Sequence, residues 1–288
     1  MDTKIEYALE LLSPEPLCAI KNFGDFDAID EIRLRVNRPI SVSVGNKDLF
    51  LDTISSAVDI EHTFKTAFSY SMHSYSKELA HGYITTRGGN RVGICGTAVI
   101  AAGRDSVDTL KYISSINIRI AREIKGCADI IMKTCFSDGL SGVLVVGAPS
   151  SGKTTVLRDI TRQLGSRYKI SLIDEQGEIS ATHRNIAQND VGALTDVFFG
   201  YPKHIGIETA VRVMSPRAVI VDEIGTDDEA KALELALHSG IRLITAVHGA
   251  CFEDAKQKPA VKRLIRQSAF QWAVELSTSR EIKVIKLD

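Results

Sequence analysis

The stretch VLVVGAPSSGKTTVLRDI, residues 143–160, decides how the rest of the chain is read. Its apolar opening, VLVV, predicts a buried strand, and the pattern after Lys153 predicts an amphipathic helix with Val156, Leu157, Ile160 and Leu164 on the buried side. Between them Gly147, Ala148, Pro149, Ser150, Ser151, Gly152, Lys153 and Thr154 fit the pattern G-x-x-x-x-G-K-S/T. Small residues let backbone N–H groups curl round phosphate oxygens with no Cβ in the way, and the helix N-terminus adds partial positive charge. The motif therefore reads as a phosphate loop. Lys153 is expected to reach the β and γ phosphates of ATP, the Thr154 hydroxyl to ligate Mg²⁺, and the backbone from Gly147 through Thr155 to hold the nucleotide.

A phosphate loop alone hydrolyses nothing, so carboxylates decide the class. AVIVDEIG carries an apolar strand into Asp222 and Glu223 at its carboxyl end, where open α/β sheets bind ligands. Asp222 is expected to hold the Mg²⁺ through water, and Glu223 to orient and deprotonate the attacking water. Small GTPases read guanine with N-K-x-D, a pattern this sequence lacks. Two further strands end in polar residues at the same expected rim. KISLIDEQGEI closes with Asp174, Glu175 and Glu178, and RLITAVHG closes with Thr245 and His248. Glu175 and His248 are candidates for sensing the γ-phosphate or positioning water; the competing readings are a solvated loop and a structural histidine.

Outward from this core the texture changes near residues 121–142. Before it, EIRLRV and ISVSV alternate, with Ile32, Leu34, Val36, Ile40, Val42 and Val44 on inward faces. A helical pattern follows on Ile60, Phe64, Phe68, Tyr75 and Leu79, closed by Gly82. YITTRGGNRVGICGTAVI predicts a glycine-turned hairpin and SINIRIA another strand. After a helix on Ala128, Ile131, Met132 and Cys135, the runs VLVV, KISLI, AVIV and RLITAV are continuously apolar, as in a parallel sheet covered on both faces. The expectation is a small α+β domain over residues 1–122 and an ATPase domain over 123–288. With 288 residues, 44% hydrophobic and a formal net charge of −1, the chain can bury two cores and does not advertise bulk capture of nucleic acid. No apolar run reaches the length of a membrane span and the N-terminus does not read as a secretory signal, so a cytoplasmic location is expected. Five widely spaced cysteines without a C-x-x-C pair read mostly as small buried residues. VFFGYPKHIG reads as a turn with its aromatics packed inward, and KQKPAVKRLIRQSAF as a helix with a basic, solvated face.

The order of phosphate loop, acidic strand end, VIVDEI, a helix opened by the capping box TDDE and then LITAVHG resembles the Walker A, Asp box, Walker B and His box series of the type II and type IV secretion superfamily ATPases. Through EIRLRVNRPI, GGNRVGICGTAV, SINIRIARE, GAPSSGKTTVLRDI and LIDEQGEI the chain is similar, over nearly its full length, to the stage III sporulation protein AA family of endospore-forming bacteria. The resemblance implies an α/β fold: a RecA-like P-loop NTPase core with a parallel sheet, preceded by the smaller α+β domain. It implies a Mg²⁺-dependent, ring-forming motor ATPase, expected to be a hexamer, at the cytoplasmic face of a membrane-spanning complex, with membrane-protein partners. A nucleic-acid-dependent RecA-like ATPase and a nucleotide-bound scaffold are the alternatives. Many of these ATPases carry Gly where this chain has Asp222 and Arg where it has Gly225. No arginine occupies a motif position in the core, and one supplied in trans is worth about 10³ to 10⁵ in rate. By analogy Arg91, Arg119 and Arg122 are candidates.

Overall fold

Alternating apolar residues fold the first part of the chain into one antiparallel sheet. The computed structural model describes residues 3–68, 83–100, 107–279 and 281–287. Strands β1 (Glu31–Arg35), β2 (Arg38–Val44), β3 (Lys47–Ser55), β4 (Tyr83–Thr85), β5 (Arg91–Ile100) and β6 (Val107–Arg119) lie in the order β3-β2-β1-β6-β5-β4. Every pairing is antiparallel. Ile32 and Leu34 on β1 and Ile40 and Val42 on β2 are fully buried. They pack with residues of helices α1 (Thr3–Leu9), α2 (Pro14–Lys21) and α3 (Ala57–Ala67), among them Ile5, Ile20 and Ile60. Helix α3 opens with a capping box, Ser56 accepting from the Asp59 N–H and Asp59 from the Ser56 N–H. Of the longer helical pattern read in the sequence, Tyr75, Leu79 and Gly82 lie outside the described residues.

The chain divides into two compact units, Met1–Arg122 and Glu123–Asp288. In the second, β7 (Val143–Gly147), β8 (Ile170–Asp174), β9 (Thr195–Phe199), β10 (Ala218–Val221), β11 (Arg242–His248), β12 (Trp272–Leu276) and β13 (Ile282–Lys286) form one sheet in the order β13-β12-β7-β11-β10-β8-β9. All neighbours are parallel except β12 and β13. Alternate residues explain the continuous apolar runs. Val143, Val145, Leu172, Ile220 and Ile244 share a core with Ile131 of α4 (Asp129–Cys135) and with Leu157 and Ile160 of α5 (Lys153–Leu164). Their neighbours Leu144, Val146, Ile173, Val219 and Leu243 share the other core. There they meet Ile207 of α6 (Lys203–Val213), Leu233 of α7 (Asp227–His238), Ala255 of α8 (Phe252–Ala255) and Leu264 of α9 (Pro259–Arg266). Both faces are thus covered, as a parallel sheet requires.

Three readings are corrected. The supposed aromatic turn begins with an edge strand, β9, and only Phe198 of its aromatics is buried; Phe199 and Tyr201 are exposed. On this edge strand Val197 packs against one core and Phe198 against the other, while Asp196 and Phe199 are left exposed. Most cysteines are not buried either: Cys135 is, Cys127 and Cys251 are partly so, and Cys18 and Cys95 are exposed, all as free thiols. Strands β12 and β13 extend the sheet beyond the four apolar runs legible in the sequence. Among the described residues no helix is long and apolar enough to cross a membrane.

Candidate functional site

The sheet order separates the phosphate-loop strand from the Asp-Glu strand: β11 lies between β7 and β10. Because these strands are parallel and in register, with His248 beside Gly147 and Thr245 beside Val221, they end along one rim. That rim opens into a cleft of about 880 Å³. Its lining includes residues 149–156, Asp222, Glu223 and His248, so the candidate phosphate loop and carboxylates share one cavity. Gln176 and Glu178 line it as well, whereas Glu175 is not among its lining residues.

The loop geometry follows from its small residues. Gly152, the N-cap of α5, has φ 96°, a left-handed conformation that side chains with a Cβ rarely adopt. A Cβ on Gly147 would stand 2.3 Å from Ser151 Oγ and 3.1 Å from the Leu276 carbonyl oxygen. Lys153, the first residue of α5, is 8% exposed and turns back over the loop. Its Nζ donates to the Gly147 and Ala148 carbonyls, each at 2.9 Å, and lies 3.0 Å from His248 Nδ1. An ammonium has donors alone, so Nδ1 accepts and the ring proton sits on Nε2, 3.1 Å from Glu223 Oε2. The His248 ring thereby stands between Lys153 and Glu223, with one nitrogen close to each, across the three strand ends. Burial pulls the Lys153 ammonium below its usual value, against the opposing charge of Glu223.

Asp222 Oδ1 accepts from its neighbour's amide, Glu223 N, at 2.6 Å and from Lys203 Nζ at 2.9 Å. Burial pushes Asp222 up to about 6, with the Lys203 charge opposing. For Lys203 burial works downward, but Asp222 together with the charges of Glu229 and Glu175 makes the net direction up. Lys203 also donates to the Glu223 carbonyl at 3.0 Å, and the Glu175 charge acts on it. Asp174 has a different place. Fully buried, it accepts from the amides of Glu178 (2.9 Å), Ile179 (3.2 Å) and Ser180 (2.7 Å) and from Ser180 Oγ (2.6 Å). It therefore shapes the loop that carries Gln176 and Glu178 and presents nothing to the cleft.

Sequence reasoning missed Lys203 and the apolar end of the cleft, Ile124, Cys127, Leu276 and Ile282. Lys203 starts the helix after β9, so recognising β9 as a parallel strand would have put that lysine at the carboxyl rim. In the first unit, Arg122 donates to Asp30 Oδ1 (3.2 Å) and to the Asp27 and Ile29 carbonyls, Arg91 lies over the Tyr83 ring, and Arg119 is exposed.

A magnesium triphosphate suits this donor set. Ser151 Oγ is buried in the loop without a hydrogen-bond partner, packed where a Cβ on Gly147 would collide with it. Thr154 and Asp222 are oxygen ligands that could hold Mg²⁺. Among the described residues no group of three or more His, Cys, Asp or Glu forms a metal cage. Mg²⁺ bound with a nucleotide takes one or two protein oxygens together with phosphates.

The fold recurs in solved ATPases. The Legionella pneumophila ATPase DotB superposes with TM-score 0.60 at 14% identity, covering 93% of this chain and 78% of that one. The pilus retraction motor PilT with bound ADP gives 0.57 at 14% identity, over 91% and 76%. In sequence, the stage III sporulation protein AA of Bacillus subtilis (strain 168) is 36% identical over 258 residues, 88% of this chain and 83% of its own length. A family model described as "Sporulation stage III, protein AA" matches residues 17–286. Fold, motif order and this near full-length match agree, and the chain belongs to the Sporulation stage III, protein AA family.

Proposed function

We propose that the cleft binds ATP with Mg²⁺ and hydrolyses it, and that hydrolysis drives a homo-oligomeric ring, of six subunits, which powers assembly or transport at a membrane-spanning complex. The observation that carries the reading is the shared cleft, in which His248 links the phosphate-loop lysine to Glu223. The backbone from Gly147 to Thr155 cradles the phosphates through its N–H groups, all but that of Pro149, which has none, with Ser151 Oγ as a further donor. Lys153 leaves its carbonyl acceptors for the β and γ phosphates, a change its long flexible stem permits. Thr154 and Asp222 hold the metal. When bound, Mg²⁺ neutralises charge on the transferring phosphoryl group. Glu223, beside His248, takes the proton of the attacking water. Asp174 acts indirectly by fixing the loop of Gln176 and Glu178, and Glu175 adds negative charge near Lys203.

The motor part of the reading draws on family membership and on the likeness to a pilus retraction motor. Arg91, Arg119 and Arg122 are the candidate cations supplied to a neighbouring subunit. The chain acts on the cytoplasmic face, recruited by membrane proteins. Two measurements test this. Glu223→Gln should bind ATP yet barely hydrolyse it, and undiminished turnover would remove Glu223 as the base. Hydrolysis per subunit should rise with protein concentration; a flat dependence counts against the ring.

A further inference from the structure

The charge balance of the cleft leaves Lys203 without a role in the reading above, on which this inference rests. Among the described lining residues the cations are Lys153 and Lys203, the carboxylates are Glu178, Asp222 and Glu223, and no arginine is present. A triphosphate entering this wall brings more negative charge, and the lining side chains of this subunit offer it one ammonium, Lys153, unless Lys203 contributes as well. Lys203 is placed to do so. Its side chain is 15% exposed, is the first residue of a helix that starts at the carboxyl rim, and bonds Asp222 Oδ1 and the Glu223 carbonyl. Both acceptors belong to the segment expected to face the terminal phosphate. An ammonium at the N-terminus of a helix sits against the local dipole, so the sequence accepts a small penalty there, as it does with Lys153. A divalent cation at Asp222 would also repel the lysine now bonded to the same carboxylate.

We propose that Lys203 is an in-cis binding residue for the terminal phosphate: paired with Asp222 in this structure, it exchanges that carboxylate for γ-phosphate oxygens when a magnesium nucleoside triphosphate enters. Lysine suits such an exchange, being a compact charge on a four-carbon stem with three rotatable donors. Asp222 is then released to the metal, so that triphosphate and metal arrive cooperatively. A diphosphate offers no γ-phosphate and leaves the Lys203–Asp222 pair intact.

The experiment is calorimetric titration of the full chain with magnesium ATP and magnesium ADP, comparing wild type, Lys203→Met, Lys203→Arg and Lys153→Ala. Lys203→Met should weaken ATP by about tenfold or more, the worth of a charge-assisted hydrogen bond, and ADP by less than about threefold. Lys203→Arg keeps the charge and should hold the ATP to ADP ratio within about threefold of wild type. Equal losses for both nucleotides, or no loss for either, overturn the inference. If Lys153→Ala loses nucleotide while Lys203→Met keeps the wild-type ratio, Lys203 alone is wrongly assigned. If Lys153→Ala binds as wild type does, the nucleotide reading falls first. Should Lys203→Met not fold, Lys203→Gln retains a donor to Asp222 without the charge and carries the same comparison.

Discussion

Replacing His248 by alanine separates binding from chemistry, and the two are expected to move in opposite directions. In the structure the imidazole accepts from Lys153 Nζ at 3.0 Å and faces Glu223 Oε2 at 3.1 Å with its other nitrogen. Removing it costs Glu223 the polar neighbour that limits where its carboxylate can point. A well-aligned hydrogen bond to a charged group is worth about 1.5–3 kcal/mol net, an upper bound for this contact. Here the side chains are 45% and 33% exposed, so water replaces part of that. A loss of about 1–1.5 kcal/mol of transition-state stabilisation remains, or about five- to tenfold in kcat. Lys153, by contrast, loses an acceptor that phosphate must displace, so the dissociation constant for ATP should stay level or fall. Phosphate release under saturating ATP, paired with a binding titration, measures both. An unchanged kcat, or ATP binding weakened tenfold with kcat retained, would refute His248 as the link between lysine and base.

Other perturbations bear on other parts of the cleft. Because burial raises Asp222 from 3.8 to about 6, this carboxyl is mostly ionised at pH 7 and mostly protonated at pH 5. Magnesium-dependent ATP affinity should therefore fall by about tenfold between these values; a flat profile measured by titration would contradict it. The stability sign is the reverse, since the unfolded chain gives up this proton first: Asp222 subtracts stability as pH rises from about 4 through 6. Gly147→Ala puts a Cβ 2.3 Å from Ser151 Oγ, and should destabilise by about 1–3 kcal/mol in thermal unfolding while weakening nucleotide binding. Asp174→Asn turns an amide donor toward three backbone N–H groups and the Ser180 hydroxyl. It should cost about 2–4 kcal/mol and raise hydrogen exchange at Glu178, Ile179 and Ser180, and unchanged protection there would rule out its role in shaping the loop.

The sequence was most informative where one residue has few roles it can play. Gly152 at φ 96°, Lys153 behind it and four strands with both faces apolar are legible because each pattern has a single physical solution. The TDDE box is another such case, and Thr226 and Glu229 do cap α7 reciprocally. Legibility failed where a strand is half covered. DVFF in β9 and IKVIK of β13 lie at the two edges of the sheet; the first is too short and mixed to stand apart from a loop, whereas the second opens with the alternation of EIRLRV and carries the strand signal. Missing β9 concealed Lys203, because its position at the rim follows from the strand before it and not from any motif. Asp174 shows a different limit. A carboxylate at a strand end reads alike whether it points into the cleft or, as here, into its own loop, and the hydrogen bonds alone tell these apart.

The central claim is that one cleft holds a magnesium triphosphate between the loop of Lys153 and the pair Asp222–Glu223. Calorimetric titration of wild type and Lys153→Ala with ATP, with and without magnesium, tests it most directly. Binding that needs magnesium in the wild type and is lost in the variant is the expected result; undiminished affinity in Lys153→Ala would contradict it.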